Sequence, residues 1–92
     1  MLKLEFSSRM KRDAKRLQRQ GKDMGKLETV LGLLAEERSL PQQYRDHALS
    51  GPLKEQRECH IEPDWLLVYK IDRGMLILTA MATGSHAQLF RL

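Results

Sequence analysis

Cysteine, proline and aromatic side chains are scarce in this 92-residue chain: one Cys, three Pro, one Trp, two Tyr and two Phe. The lone Cys59 cannot close an internal disulfide, which excludes a disulfide-stapled scaffold and fits a reducing compartment. Long apolar runs are missing as well. The longest nearly uncharged stretch, which takes in Gly74 to Gln88, falls short of the roughly 20 residues a membrane-spanning helix needs and is rich in small and polar side chains. The start, Met-Leu-Lys-Leu-Glu-Phe, has no apolar h-region and turns polar at Ser7, so no signal peptide is expected. A cytoplasmic protein without membrane contact is therefore expected. Internal repeats and low-complexity segments are absent too, and the length allows one modest core, so residues 1–92 read as a single domain.

What the chain has in excess is basic charge at its start. Residues 1–26 carry nine Lys or Arg against Glu5, Asp13 and Asp23, a balance of +6, whereas the whole chain is only +4. A block of this kind, presented by a folded helix, points to a polyanion partner. Its most concentrated members are Lys11, Arg12, Lys15, Arg16 and Arg19.

Periodicity supplies the architecture. Leu2, Leu4 and Phe6 alternate with Lys3 and Glu5, as in a half-buried strand. Ser7 or Ser8 offers an N-cap to a basic helix with the narrow apolar stripe Met10, Ala14 and Leu17, and Gly21 ends it. Asp23 caps a second helix in which Met24, Leu27, Val30, Leu31 and Leu34 recur at helical spacing. Gly32 costs that helix about 1 kcal/mol relative to alanine, which suggests close packing against the first helix. A polar connection follows from Ser39 to Pro52. Strands are expected over Lys54 to Glu62, Trp65 to Ile71 and Met75 to Met81, joined by a corner at Glu62-Pro63-Asp64 and a short turn at Asp72-Arg73-Gly74. Gly84 to Phe90 reads as a terminal strand or turn. The sum is an α+β domain, β-α-α-β-β-β with a possible further β, in which a helical hairpin covers one face of a small, mostly antiparallel sheet.

The open face is where chemistry is expected. His47 lies in the long connection, His60 on the second strand and His86 after the fourth, and a meander can bring all three to a shared cleft with Asp64. Such a set suits either a metal site or metal-free RNA cleavage. The histidines come from separate segments without a short-spaced pair, which disfavours the metal. In the metal-free reaction a base takes the 2′-OH proton, that oxygen attacks the adjacent phosphorus, and an acid protonates the departing 5′ oxygen. Imidazole suits both transfers because its unperturbed pKa lies near working pH. Arg45 and Lys54 are candidate partners for the phosphate charge, and Trp65 and Phe90 are candidate stacking platforms for bases.

Three segments, Tyr44-Arg45-Asp46-His47-Ala48-Leu49-Ser50-Gly51, Arg57 to Lys70, and Gly84-Ser85-His86-Ala87-Gln88-Leu89-Phe90, resemble the YafQ branch of the RelE superfamily of bacterial toxins. The resemblance spans nearly the whole chain and implies a RelE-like fold. It implies a type II toxin-antitoxin toxin: a ribosome-dependent endoribonuclease that cuts messenger RNA in the decoding site, without cofactor, and so inhibits translation. By position, His47, His60, Asp64 and His86 match the family's catalytic set, and Trp65 and Phe90 match aromatic residues of its cleft. His86 is expected to be one proton-transfer partner, Asp64 or His47 the other, with His60 orienting or charging the phosphate. The implied partners are a cognate antitoxin of the DinJ or RelB kind, messenger RNA, and the 70S ribosome, whose RNA would meet the basic helix. Operator DNA would be reached only through the antitoxin.

One position departs from the family pattern. Arg-Thr-Gly-Thr-His is common there, whereas Ala82-Thr83-Gly84-Ser85-His86 stands here. Either another cation substitutes, with Arg45, Lys54 and Arg91 as candidates, or cleavage is weakened. In the second case the chain acts mainly as an antitoxin-bound co-repressor.

Overall fold

The alternating start forms strand β1 (Lys3–Phe6), and Ser7 caps helix α1 (Ser8–Arg19), its Oγ accepting the Met10 N–H at 2.9 Å. Gly21, at φ 81°, closes α1 in the left-handed region, where a residue without Cβ is at no disadvantage. Asp23 then caps α2 (Met24–Ala35) by accepting the Gly25 N–H at 3.0 Å. This is a computed structural model, and it describes residues 1–53 and 55–90.

The connection after α2 is more ordered than its composition suggests. It holds a 3-10 turn at Gln42–Tyr44, the two-residue strand β2 (His47–Ala48) and a second 3-10 turn at Gly51–Leu53. Three longer strands follow: β3 (Arg57–Glu62), β4 (Trp65–Asp72) and β5 (Ile77–Gly84). The expected start of β3 at Lys54 lies outside the described residues. The sheet order is β1-β5-β4-β3-β2, antiparallel throughout except for β1 beside β5. β4 is central, which is why its residues are apolar on both faces.

Leu27, Val30, Leu31 and Leu34 of α2 and Met10 and Leu17 of α1 pack with Cys59, Ile61, Trp65, Leu67, Tyr69, Leu78 and Ala80 on one face of the sheet. Burial pushes the Cys59 thiol up to about 12, so it serves as an apolar core group and not as a nucleophile. Glu58 and His60 alternate onto the other face, with Leu66 and Val68 of β4. Two bulges interrupt the alternation. One, at Ile61, swings Glu62 to the helices, where Lys22 (3.5 Å) and Lys26 (2.9 Å) hold it. The other, at Met81, places Ala82 opposite Val68.

Three expectations are corrected. The turn after β4 runs on to Leu76, with the Asp72 carboxylate accepting the Met75 N–H, so β5 begins at Ile77 and leaves Met75 and Leu76 exposed. Gly84 to Phe90 ends in a short helix, α3 (His86–Phe90). Ser85 and Gln88 form a capping box: Ser85 Oγ accepts the Gln88 N–H (3.2 Å), and Gln88 Oε1 accepts the Ser85 N–H (2.9 Å). Gly32 faces solvent with nothing within 4 Å of where a Cβ would stand, so helix packing does not require it.

Candidate active site

Each histidine arrives by a different device. His47 is carried on β2, paired directly opposite Glu58 of β3. Its neighbour Asp46 is tied down by the Tyr69 hydroxyl (2.5 Å) and Arg57 Nε (3.3 Å). Burial first, then the Asp46 contact, raises the Tyr69 phenol well above its ordinary value, so Tyr69 stays a donor. Arg45, in the left-handed region at φ 49°, turns its carbonyl to accept from His47 Nδ1 at 2.7 Å. The remaining nitrogen, Nε2, lies 3.7 Å from Glu58 Oε1. His60 stands two residues along β3, with Nε2 3.5 Å from the same oxygen and Nδ1 3.4 Å from the Pro63 carbonyl. His86 opens α3, and both its backbone N–H (3.1 Å) and its Nδ1 (2.9 Å) meet Asp64 Oδ1.

The rings converge. His60 neighbours both others, at centroid distances of 6.4 Å to His47 and 5.6 Å to His86. Asp64 and His86 come together as the sequence suggests, and their hydrogen bond has a chemical consequence. The His86 side-chain bond first, and its backbone N–H second, lower the Asp64 pKa, so the carboxylate stays ionised at neutral pH and accepts from Nδ1–H. The other imidazole nitrogen is then the one free to give or take a proton.

Glu58 is the member that sequence reasoning missed. The residue is 5% exposed, and its carboxylate stands against two imidazoles, with which it forms ion pairs once they are protonated. The signal was present: Glu58 precedes His60 by two residues on one strand, and period-two alternation puts both on one face. Glu58, His60 and His86 each offer a ligand atom, all within 4.8 Å of one another. Nitrogen and carboxylate donors suit a borderline cation such as Zn²⁺.

Other expected members fare differently. Trp65 is 1% exposed and donates its indole N–H to Thr83 Oγ1 at 2.9 Å, so it belongs to the core on the helix-covered face and offers no stacking face. Lys22 rides above its ring, 5.8 Å from the centroid. Phe90 is half-buried and lines a cleft of ≈ 250 Å³ with Leu53, Val68, Ala82, Leu89 and Arg9, one strand over from Glu58 and His60. Arg45 lines a separate cleft beside His60, with Gln43, Tyr44 and Pro63. Lys54 and Arg91 lie outside the described residues. In α1, Lys11, Arg12, Lys15 and Arg19 are exposed, whereas Arg16 turns inward to Asp13, Thr83 and Gln88. Among the described residues no helix is long and apolar enough to cross a membrane.

Comparison with known proteins shows the family. Residues 2–91 match the family described as bacterial toxin of type II toxin-antitoxin system, YafQ. The mRNA interferase toxin YafQ of Escherichia coli K12 is 41% identical over 88 residues, covering 95% of this chain and 94% of that protein. A metal-bound toxin of Helicobacter pylori superposes with a TM-score of 0.93 at 44% identity, covering 98% of this chain and 100% of that one. YafQ in the E. coli DinJ-YafQ complex superposes with a TM-score of 0.90 at 38% identity, covering 98% and 99%.

Proposed function

The chain belongs to the YafQ family of type II toxin-antitoxin toxins, the mRNA interferases, and on that premise we propose how it cuts RNA. The reaction is a metal-independent transesterification on messenger RNA held in the ribosomal decoding site. The 2′ oxygen attacks the adjacent phosphorus, the P–O5′ bond breaks, and a cyclic phosphate and a 5′-hydroxyl result. His86 is one proton-transfer residue, with Asp64 fixing its tautomer and orientation, and His47 is the other. His60, ion-paired to Glu58 when protonated, faces the phosphate, with Arg45 on its flank. The observation that carries this reading is the convergence of three histidines from three segments on one sheet face, one of them held by a carboxylate at 2.9 Å.

Residues 1–92 act as a single toxin domain, working in the cytoplasm. Lys11, Arg12, Lys15 and Arg19 dock the toxin on ribosomal RNA, away from the histidines. A cognate antitoxin of the DinJ kind inhibits it, as DinJ pairs with YafQ in E. coli, and takes it to operator DNA.

Ala82 supports a further element of the proposal, attenuation. It leaves the cleft beside the histidines without a long cationic side chain on β5, so cleavage is weak and co-repression with the antitoxin carries more of the role. Cleavage of a programmed messenger with and without ribosomes tests the activity. Cutting only with ribosomes, and a fall of about 10²- to 10⁴-fold on His86→Ala, is the expected outcome. Equal cutting of free RNA, or an undiminished His86→Ala variant, would sink it.

A further inference from the structure

We propose that Arg16, together with Asp13, is a positioning residue for His86, reaching from α1 to hold the segment that brings the imidazole to the site. The proposal rests on the reading of His86 as a proton-transfer residue. Packing holds that segment only weakly, because α3 is five residues long and its Leu89 and Phe90 are no more than half-buried. Hydrogen bonds supply the rest. Asp13 Oδ2 accepts the Thr83 N–H at 3.1 Å, and Arg16 Nη2 donates to the Thr83 carbonyl at 3.1 Å, so both backbone groups of Thr83 end on one pair of α1 side chains. Arg16 Nη1 meets Asp13 Oδ1 at 2.8 Å. Arg16 Nη2 also reaches Gln88 Oε1 at 3.3 Å, the oxygen that accepts the Ser85 N–H. Thr83 and Gln88 thus flank His86 and are tied directly to the guanidinium or its carboxylate partner, and Ser85 is tied to them through Gln88 Oε1.

Two features argue that this pair is built for the segment. Asp13 is 5% exposed, and a carboxylate is buried at a cost that only good partners offset. Gly84 crosses so close to the guanidinium that a Cβ there would lie 2.8 Å from Arg16 Nη2 and 2.6 Å from Gln88 Oε1. A planar fork serves this geometry, since it bonds the carboxylate, the Thr83 carbonyl and Gln88 together, which a lysine ammonium cannot do in the same way. Arg16 therefore differs in role from its basic neighbours on α1.

The test is steady-state cleavage of a ribosome-programmed messenger, with active protein titrated so that misfolded fractions do not count, beside NMR of the His86 ring. Arg16→Met is expected to lower kcat at least about tenfold with little change in KM, because small misplacements of a reacting group are costly, and to shift or broaden the His86 ring signals. Arg16→Lys keeps the charge and is expected not to restore kcat. Gly84→Ala, which crowds the same contacts without touching charge, is expected to act in the same direction. Arg12→Met, an exposed cation on the same helix, is expected to raise KM and weaken salt dependence instead. An Arg16→Met variant that loses only in KM and salt dependence, with full rescue by lysine, would make Arg16 an RNA contact and overturn the proposal. So would unchanged His86 signals. Should the parent protein fail to cleave, or His86→Ala cleave normally, the catalytic reading fails while the ring signals still decide whether Arg16 positions His86. If Arg16→Met does not fold, Arg16→Lys and Gly84→Ala decide it.

Discussion

Replacing Ala82 by arginine should raise the cleavage rate, and the size of the gain can be worked out. Ala82 is 5% exposed and forms part of a cleft of ≈ 250 Å³, room on the order of eight waters. An arginine side chain would enter that space and leave the main core undisturbed, since Ala82 and Val68 lie outside the cluster that α1 and α2 cover. Ala82 stands opposite Val68, and Val68 opposite Glu58, so at about 4.8 Å per strand its Cα lies about 10 Å from that of Glu58. A guanidinium extended over Val68 would come beside the phosphate held by the histidines. One preorganised donor to a developing oxyanion is worth about 2.7 to 4 kcal/mol. Ordering the arginine costs about 2 kcal/mol of rotamer entropy, and repulsion from Arg9 at the cleft rim takes a little more. About 0.5 to 1.5 kcal/mol remains, a gain of roughly two- to tenfold in kcat. Single-turnover cleavage of a ribosome-bound messenger measures it, and growth arrest on induced expression should deepen in parallel. A folded Ala82→Arg variant with no gain in kcat would show that another cation already neutralises the phosphate, and attenuation would be refuted.

Other outcomes follow from the same contacts. Gly32→Ala should stabilise the fold by about 1 kcal/mol, read as a rise in Tm of about 4 to 8 °C; a fall would mean that something packs on α2 at that point. The Asp64 pKa is depressed below 3.8 by His86, so the stability and orientation it confers are fully present above that value and fade only as pH falls through the lower folded value. Following the Asp64 carboxyl carbon by NMR should therefore give a midpoint below 3.8, and one above it would contradict the hydrogen bond. Chelators should leave cleavage intact, whereas added Zn²⁺ should inhibit by occupying imidazole lone pairs at His60 and His86; loss of activity with EDTA would restore the metal reading.

Much of the architecture was legible because it rests on periodicity. The stripes of α1 and α2, the Ser7 and Asp23 caps, and the Pro63 corner are local signals that tertiary packing reinforces. The histidine set was legible through spacing and resemblance, whereas only the register, with His47 opposite Glu58, puts His47 on the face of His60. Where reading fell short, the cause was specific. The terminal helix was missed although Ser85 and Gln88 spell a capping box, because the apolar residues around them suit a strand equally well. Trp65 was expected to offer a ring face, yet an indole on a central strand between two neighbours is buried by geometry that no local pattern reveals. The role of Asp13 was hidden in a helix whose charge reads as a solvated face, since its partner Thr83 is 70 residues away in sequence. Ile61 and Met81, the two bulge residues, carry no distinctive composition, and each reverses which side chains face the site.

The chemistry of the cut ends tests the catalytic reading most directly. Transesterification by the 2′ oxygen, with His86 and His47 moving the protons and no metal-bound water taking part, leaves a 2′,3′-cyclic phosphate or its 3′-phosphate product on one fragment and a 5′-hydroxyl on the other. Mass spectrometry of messenger fragments released from ribosomes by the purified protein should find those ends and should lose them with His86→Ala. Fragments bearing a 5′-phosphate and a free 3′-hydroxyl would mean that water, and not the neighbouring 2′ oxygen, attacks the phosphorus, and the assignment of these histidines would be wrong.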